Sequence, residues 1–427
     1  MRTLGIVLLW LCCTLGWAQT ADERAGECLN GCRWFELQDI CATDSAQMSP
    51  FIRLFAQAMT AQMFNRPAEA NDRILALIRQ HQEQMGFANV YNMMFMLIDN
   101  YGLLGDNASA ASAARRFATQ IDGKVPADKV APIRAKERLY TALQAYDMYS
   151  TDTLDHTVPM AYTQISDSTQ GLITLRGMVN GQRADFIFDT GASYNVIAPE
   201  LARRYGLRLL DDSIQTQGTR LGGGQMAIAD DITLGDVHLR NVPFAVLDIG
   251  AGNERIRHTV SRISLIMGQP LLRQYGRYTI DLSDNTLHLY HHSARRPVRS
   301  NAYLDGALYA EVVQDGHRMP IALDTGADKT TLGKAYYKDF AADIARHGKW
   351  TIEGASGFGG IVYNSVFRLP QITMQVGSQP FMLRNVSVVA LSTGNGLTEN
   401  YGRLGMDFVR MWHQITVDNT NMTIEVK

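Results

Sequence analysis

The spacing of apolar residues changes once along the chain, near Ser150. Between residues 49 and 150, apolar side chains recur every three or four positions, which predicts amphipathic helices. The helical segments are 51–64, 68–80, 90–104 and 108–121. Ser49-Pro50 supplies an N-cap followed by a first helical turn, so the sequence predicts an α-helical domain over residues 49–150.

Short turns separate the predicted helices. Asn65-Arg66-Pro67 and Gly105-Asp106-Asn107 are the clearest of them, because each places turn-forming residues between two periodic segments. Paired helices of this kind resemble a short tetratricopeptide-style stack. A plain helical bundle explains the same pattern, and both alternatives remain open.

Beyond residue 168 the apolar residues alternate with polar ones, as they do in half-buried strands. Residues 171–179 alternate in this way, Asn180-Gly181 is a strong hairpin signal, and residues 184–188 predict a strand leading into the first motif. Residues 151–168 are rich in Thr, Ser and Asp and show little periodicity, so they predict a linker. The chain thus changes from helices to strands across this segment.

A second series of strands has the same layout. Residues 308–313 predict a strand, Asp315-Gly316 a turn, and residues 319–323 a second apolar strand. Both series end in the same four residues, Asp-Thr-Gly-Ala, at 189–192 and 324–327. One Asp-Thr-Gly triplet is expected by chance in roughly one chain in ten of this length. Two, each after an apolar strand, are a much rarer coincidence.

The repeat extends beyond these motifs. Asp189 and Asp324 are 135 residues apart, and the same offset carries Gly222 onto Gly357 and Gly224 onto Gly359. Further matched elements follow: Leu239-Arg240-Asn241-Val242 with Leu383-Arg384-Asn385-Val386, Ile266-Met267-Gly268 with Arg403-Leu404-Gly405, and Asp281 with Asp418. The small changes in offset indicate loop insertions between matched strands after a duplication.

On these motifs, residues 165–427 resemble the retropepsin-like aspartic peptidases, a family that includes retroviral proteases and exported bacterial relatives. The resemblance implies an all-β fold of tandem retropepsin-like acid-protease barrels, one over 169–293 and one over 294–427. Each barrel would contribute one aspartate across a pseudo-twofold axis, like a retroviral dimer fused into one chain. Asp189 and Asp324 are therefore the predicted catalytic pair.

A pair of aspartates suits hydrolysis because two carboxyl groups about 3 Å apart cannot both be ionised, so they share one proton. The ionised member takes a proton from a water molecule that attacks the scissile carbonyl. The protonated member hydrogen-bonds the carbonyl oxygen and stabilises its developing charge. This chemistry needs no metal and no cofactor.

The residues that follow each aspartate have predicted supporting roles. Gly191 and Gly326 allow a tight turn and a close approach of the two loops, which a Cβ atom would obstruct. The resemblance implies that Thr190 and Thr325 hydrogen-bond across the axis and lock the loops together.

Ala192 and Ala327 stand where the pepsin-like branch usually has Ser or Thr. A hydroxyl group that would acidify the ionised carboxyl group is therefore missing on both sides. The sequence predicts a working pH that is mildly acid to neutral rather than strongly acid.

Glycine-rich segments in both series are candidate flaps, hairpin tips that close over an extended peptide. The candidate flap residues are Gly222, Gly223, Gly224, Gly357, Phe358 and Gly359. An ordinary mobile surface loop is the alternative, and the shared offset of 135 favours flaps.

Arg403 departs from the family pattern, because it occupies the position of apolar Ile266. A buried unpaired Arg would be costly, so this side chain is expected to turn outward or to pair with a carboxylate.

The balance of charged residues indicates which partners to expect, and the first 18 residues indicate where the protein is located. Lys plus Arg total 40 against 42 for Asp plus Glu, so nothing favours nucleic acid as a partner. Residues 1–18 combine Arg2, an apolar run and small residues before a predicted cleavage after Ala18, which indicates a signal peptide and a periplasmic or secreted protein. A lipoprotein anchor is the rival interpretation. No membrane insertion is expected after signal cleavage.

Cysteines cluster in the N-terminal segment 19–48, at Cys28, Cys32 and Cys41. In an oxidising compartment one disulfide and one spare thiol are expected. A metal site is the alternative, although three thiols without a nearby His make an incomplete zinc shell.

The sequence as a whole favours an exported aspartic endopeptidase acting on peptides or proteins, with the helical domain as a candidate surface for a protein partner. One alternative keeps the fold as a catalytically inactive peptide-binding module. Another is a homodimer whose dyads form between chains. Both aspartates in one chain favour the intramolecular site.

Overall fold

A computed structural model describes residues 19–164, 171–217, 221–248, 264–296, 298–357, 360–392 and 400–427. The chain divides into two compact units, Met1–Asp147 and Met148–Lys427. The predicted signal peptide, 1–18, lies outside the described residues, as do Phe358 and Gly359 of the predicted flaps.

The first unit is helical. Its helices are α1 Ala21–Asn30, α2 Trp34–Thr43, α3 Pro50–Met63, α4 Pro67–Leu103, α5 Asn107–Ile121 and α6 Ala127–Leu143, with a 3₁₀ turn at Ser45–Gln47. The Ser49 hydroxyl caps α3 by accepting a hydrogen bond from the Ile52 amide, as predicted. The predicted segments 68–80 and 90–104 both lie in α4, which is interrupted by non-helical backbone at His81 and Gly86.

No helix in the described part of the chain combines the length and apolar character needed to cross a bilayer.

Residues 19–48 form α1, α2 and the 3₁₀ turn, and both helices pack against α3. The expected disulfide is wrong for the described cysteines, because Cys28, Cys32 and Cys41 are all free thiols. Burial raises the pKa of Cys28 and of Cys41 to about 11, which keeps both thiols protonated and unreactive.

The second unit is built from strands, and one sheet carries the first motif. Its strands are β1 His156–Thr163, β2 Leu172–Val179, β3 Gln182–Phe188, β4 Val196–Ile197, β5 Arg208–Gln217, β6 Leu221–Leu234, β7 Val237–Val246, β8 Leu265–Met267, β9 Arg277–Asp281 and β10 Thr286–Tyr290. The strand order runs β9-β10-β1-β2-β3-β8-β4-β7-β6-β5. Short helices α7 Pro199–Arg204 and α8 Gln269–Leu272 follow β4 and β8.

Another sheet carries the second motif. Its strands are β11 Ala302–Asp305, β12 Ala307–Gln314, β13 His317–Leu323, β14 Thr331–Leu332, β15 Lys349–Gly357, β16 Gly360–Val376, β17 Gln379–Ser392 and β18 Gly402–Leu404. The order is β11-β12-β13-β18-β14-β17-β16-β15, which repeats the arrangement around β3 and β8. Helices α9 Lys334–Asp339 and α10 Ala341–His347 follow β14, and α11 Met406–Val409 follows β18.

Both predicted hairpin turns are confirmed. Asn180 and Gly181 between β2 and β3 have φ of 48° and 77°, and Asp315 and Gly316 between β12 and β13 have 50° and 82°. Two successive residues with positive φ make the turn whose twist matches antiparallel strands. Each turn sends the following strand, β3 or β13, toward an Asp-Thr-Gly-Ala motif.

The predicted linker, 151–168, is wrong in part because β1, His156–Thr163, lies within it. This strand pairs antiparallel with β2 and with β10. Its burial alternates from buried His156 to buried Met160, so the pairing covers an apolar face.

The C-terminal strands join the sheet of the first motif. Strands β19 Gln414–Asp418 and β20 Thr423–Val426 extend that sheet, because β19 pairs antiparallel with β9. In this pairing Thr279 lies opposite Thr416, and their hydroxyl oxygens are 2.9 Å apart. The end of the chain thereby ties the second series of strands to the first.

Candidate active site

Each motif aspartate stands at the end of an apolar strand that a parallel neighbour holds in place. Strand β3 pairs with β8, and the Asp189 amide donates to the Met267 carbonyl at 2.9 Å. Strand β13 pairs with β18, and the Asp324 amide donates to the Leu404 carbonyl at 2.9 Å. Buried apolar side chains along β3 and β13 anchor both strands.

The two aspartate loops fold in the same way. The Gly191 amide donates to Asp189 Oδ1 at 2.8 Å, and the Gly326 amide donates to Asp324 Oδ1 at 3.1 Å. A Cβ atom on Gly191 would lie 2.7 Å from Asp324 Cγ, and one on Gly326 would lie 2.7 Å from Asp189 Oδ1. Each carboxyl group therefore packs against the glycine of the opposite loop, and neither glycine can carry a side chain.

The structure brings Asp189 and Asp324 together as one pair. Burial raises the pKa of Asp189 to about 8, and the charge of Asp324 and its hydrogen bond to Asp189 act in the same direction. The Gly191 amide and the charge of Arg403 act against this rise. Such neighbours keep one proton on the pair at neutral pH.

Thr190 and Thr325 lock the loops together through reciprocal hydrogen bonds. The Thr190 hydroxyl donates to the Leu323 carbonyl at 2.6 Å and accepts from the Thr325 amide at 3.1 Å. The Thr325 hydroxyl donates to the Phe188 carbonyl at 2.7 Å and accepts from the Thr190 amide at 3.0 Å. Both side chains are fully buried, so these four bonds are shielded from water.

Ala192 and Ala327 close the loops through their backbone. The Ala192 amide donates to the Asp189 carbonyl at 3.3 Å, and the Ala327 amide donates to the Asp324 carbonyl at 3.2 Å. The Ala192 carbonyl accepts from the Gln269 amide, which ties the loop to the start of α8. Their methyl side chains offer no hydroxyl group to either carboxyl group.

Two buried residues that support the loops, Asn195 and Thr330, were not predicted from the sequence. Asn195 Oδ1 accepts from the Gly268 amide at 3.0 Å, and Thr330 Oγ1 accepts from the Gly405 amide at 3.1 Å. A side chain on Gly268 would collide with the Ala192 carbonyl oxygen, 2.5 Å from its Cβ position. The signal was present, because Asn195 and Thr330 are separated by the same 135 residues as the aspartates.

The candidate flap glycines lie near the ends of two hairpins. In the first, β5–β6, Thr216 pairs with Gly222 and Gln215 pairs with Gly223. Gly224 has a packing role, since a Cβ atom there would collide with Leu247. In the second hairpin, β15–β16, Gly357 pairs with Gly360. Residues 218–220 and 358–359, between the paired strands, lie outside the described residues.

Arg403 was expected either to turn outward or to pair with a carboxylate, and the structure shows the second arrangement. Its Nη1 atom donates to Asp324 Oδ2 at 3.1 Å. The side chain is 34% exposed against 13% for Asp324, so the ion pair is partly open to solvent. The second loop is not distorted by it, because each of its backbone hydrogen bonds has a counterpart of similar length in the first loop.

One family model matches part of the chain. A family model described as aspartyl protease matches residues 175–271, which include the first Asp-Thr-Gly-Ala and end before the second. No curated protein sequence matches the chain.

Two solved structures are among those similar to the chain. A retropepsin-like aspartic protease from Rickettsia conorii is 22% identical, covers 34% of this chain and 97% of its own, and has a TM-score of 0.23. Basic 7S globulin from soybean is 10% identical, covers 65% of this chain and 95% of its own, and has a TM-score of 0.38.

Proposed function

We propose that this chain, in which residues 175–271 match a family model described as aspartyl protease, is an aspartic endopeptidase of the retropepsin-like type. The observation that carries this proposal is the meeting of Asp189 and Asp324 from two equivalent loops of one chain. Each loop glycine packs against the carboxyl group of the other loop, so the pair is a preformed unit. The substrates are extended segments of peptides or proteins.

In the proposed reaction, a water molecule bound between the carboxyl groups is the nucleophile. The ionised carboxylate takes a proton from this water as it attacks the scissile carbonyl carbon. The protonated carboxyl group donates a hydrogen bond to the carbonyl oxygen and stabilises the negative charge that develops there. The carboxyl group that took the proton from water then donates it to the amide nitrogen, and the C–N bond breaks to release the amine and the carboxylic acid.

We also propose that the two series of strands are tandem retropepsin-like halves. Support comes from the parallel pairs β3–β8 and β13–β18 and from the opposed residues Thr279 and Thr416. Export to the periplasm or the exterior is proposed from the pattern of residues 1–18. The helical unit is a candidate for recruiting substrate or a protein partner.

The geometry favours an enzyme over an inactive peptide-binding module. The module interpretation depended on Arg403 disturbing the second loop, and the hydrogen bonds of that loop match those of the first. The same geometry favours an intramolecular pair over a homodimer with dyads formed between chains, because both aspartates meet within one chain.

Cleavage of a fluorogenic peptide library by the chain from residue 19 tests the proposal. The variants Asp189→Asn and Asp324→Asn are each expected to lower the rate by about 10²- to 10⁴-fold, the usual contribution of a general acid or base. Asp315→Asn is the matched control, since it makes the same chemical change in an exposed turn of the second series. Wild-type activity in either dyad variant would refute the mechanism.

A further inference from the structure

The two aspartates differ in the row of residues that crosses the sheet beside them. Next to Asp189 the cross-strand partners are Ala161, Thr174, Ile187, Ile266 and Val196. Next to Asp324 they are Tyr303, Tyr309, Ala322, Arg403 and Thr331. The row is thus largely apolar on one side and contains a cation on the other.

The residues around Arg403 accommodate its side chain. Ala322, directly opposite Arg403 in the parallel pair, is small where the first sheet has Ile187 at the equivalent position. On the far side of Ala322, Tyr309 stacks on Tyr303 with ring centroids 4.9 Å apart. A methyl side chain at Ala322 takes up less room beside Arg403 than an isoleucine would.

The charged and titratable groups around this ion pair come from several strands. Asp189 faces Asp324 from the opposite loop, and Tyr309 lies within electrostatic range of Arg403 and Asp324. Burial, followed by the charge of Asp305, raises the pKa of Tyr309 to about 12, so its hydroxyl stays neutral. Among the described residues, Arg403 is the cation that donates to Asp324 and whose charge acts on Asp189.

A cation hydrogen-bonded to one carboxyl group of a pair favours the charged form of that group. Arg403 is hydrogen-bonded to Asp324 Oδ2, whereas the equivalent position beside Asp189 is apolar Ile266. A symmetric dimer, with two identical loops, has no such difference.

We propose that Arg403 is a positioning residue that sets the roles within the dyad, so that Asp324 is the ionised base and Asp189 the protonated acid. This inference rests on the proposed peptidase function. It gives the departure from the family pattern a purpose, because the cation removes the ambiguity over which aspartate holds the proton.

Removing this charge has a defined effect on the pH dependence. The charge of Arg403 opposes the rise in the pKa of Asp189, so its loss raises that pKa further. The proton that Asp189 holds in the active form is then lost at a higher pH. The cation also no longer stabilises the negative charge of the singly ionised pair, so this active form begins at a higher pH as well. Both limbs of the pH profile of kcat/KM are expected to move upward, by about one pH unit for an adjacent arginine.

The experiment compares wild type with Arg403→Ile, which installs the residue type of the first sheet, and with Arg403→Lys, which retains a charge. Arg346→Gln, an exposed position on α10, controls for loss of one positive charge from the same series. Arg403→Ile is expected to shift the profile upward and to lower kcat more than it changes KM. Arg403→Lys is expected to restore much of the wild-type profile, and Arg346→Gln to leave it unchanged. An unshifted profile in folded Arg403→Ile would overturn the proposal.

A second measurement does not need cleavage. Carboxyl ¹³C resonances of labelled aspartates are followed through a pH titration in wild type and Arg403→Ile, with Asp189→Asn and Asp324→Asn assigning the two signals. The dyad signals are expected to titrate at higher pH without Arg403, and identical titrations would overturn the role of Arg403. If the wild type does not cleave peptides, the peptidase proposal fails. The titration still tests whether Arg403 sets the protonation of the two aspartates. Arg403→Gln, which keeps a polar side chain, replaces Arg403→Ile in both measurements if that variant does not fold.

Discussion

Thr190→Val tests the interlock that holds the two aspartate loops together. The change keeps the shape of the side chain and removes its hydroxyl group. Two buried backbone groups then lose their partner, namely the Leu323 carbonyl, 2.6 Å from the hydroxyl, and the Thr325 amide, 3.1 Å from it. Water cannot replace the hydroxyl because Thr190 and Thr325 are fully buried.

The expected cost follows from the two unpaired groups. Leaving one buried polar group unsatisfied costs about 1–3 kcal/mol, so Thr190→Val is expected to lower the free energy of unfolding of this unit by about 2–6 kcal/mol. A folded domain is stable by only about 5–15 kcal/mol, so the effect is a large share of the total. Thr190→Ser, which keeps the hydroxyl, is the matched control and is expected to lose much less.

Urea unfolding followed by hydrogen exchange and mass spectrometry measures this loss. Peptides covering residues 320–330 report the β-rich unit separately from the helices, and the Thr325 amide loses its protection directly. A Thr190→Val variant with the wild-type urea midpoint and an equally protected Thr325 amide would refute the interlock.

Three further predictions concern the loop, its titration and the helical unit. Gly326→Ala places a Cβ atom against the Asp189 carboxyl group, so peptide cleavage is expected to fall by at least about 10²-fold, and wild-type turnover would contradict the packing. The folded chain keeps a proton on Asp189 up to about pH 8, whereas the unfolded carboxyl group releases it near 3.8. This group's contribution to stability is therefore full at low pH and is lost as the pH rises toward 8. Urea midpoints at several pH values are expected to show a component of this sign that Asp189→Asn lacks. Ser49→Ala removes the cap of α3 and is expected to cost about 0.5–2 kcal/mol of helical-unit stability, measured by thermal unfolding; an unchanged melting temperature would show that the cap contributes nothing.

Local features of the fold were predictable from sequence because their causes are local. Asn180-Gly181 and Asp315-Gly316 specify their turns through backbone angles that few other residues adopt. The Ser49 cap and the break before α5 were predictable for the same reason. The aspartate pair was predicted from a repeated motif, which carries long-range information that periodicity does not.

Long-range pairing was not predictable. Strand β1 lies in a segment whose polar composition indicates a linker, and it is a strand because β2 and β10 both pair with it. The pairing of β19 with β9 depends on how the two series meet, which no short window of sequence reveals. Arg403 was recognised as an exception, and its partner Asp324 became evident only from the parallel pairing of β13 with β18.

Mixing the two inactive variants tests the central claim most directly. If Asp189 and Asp324 of one chain form one site, Asp189→Asn and Asp324→Asn stay inactive alone and when refolded together. Dyads formed between chains would behave differently, since a mixed dimer would keep one site with both aspartates intact. Peptide cleavage that stays at the level of the single variants after mixing is the predicted result. Cleavage by either variant alone, or its return on mixing, would contradict a single dyad within one chain.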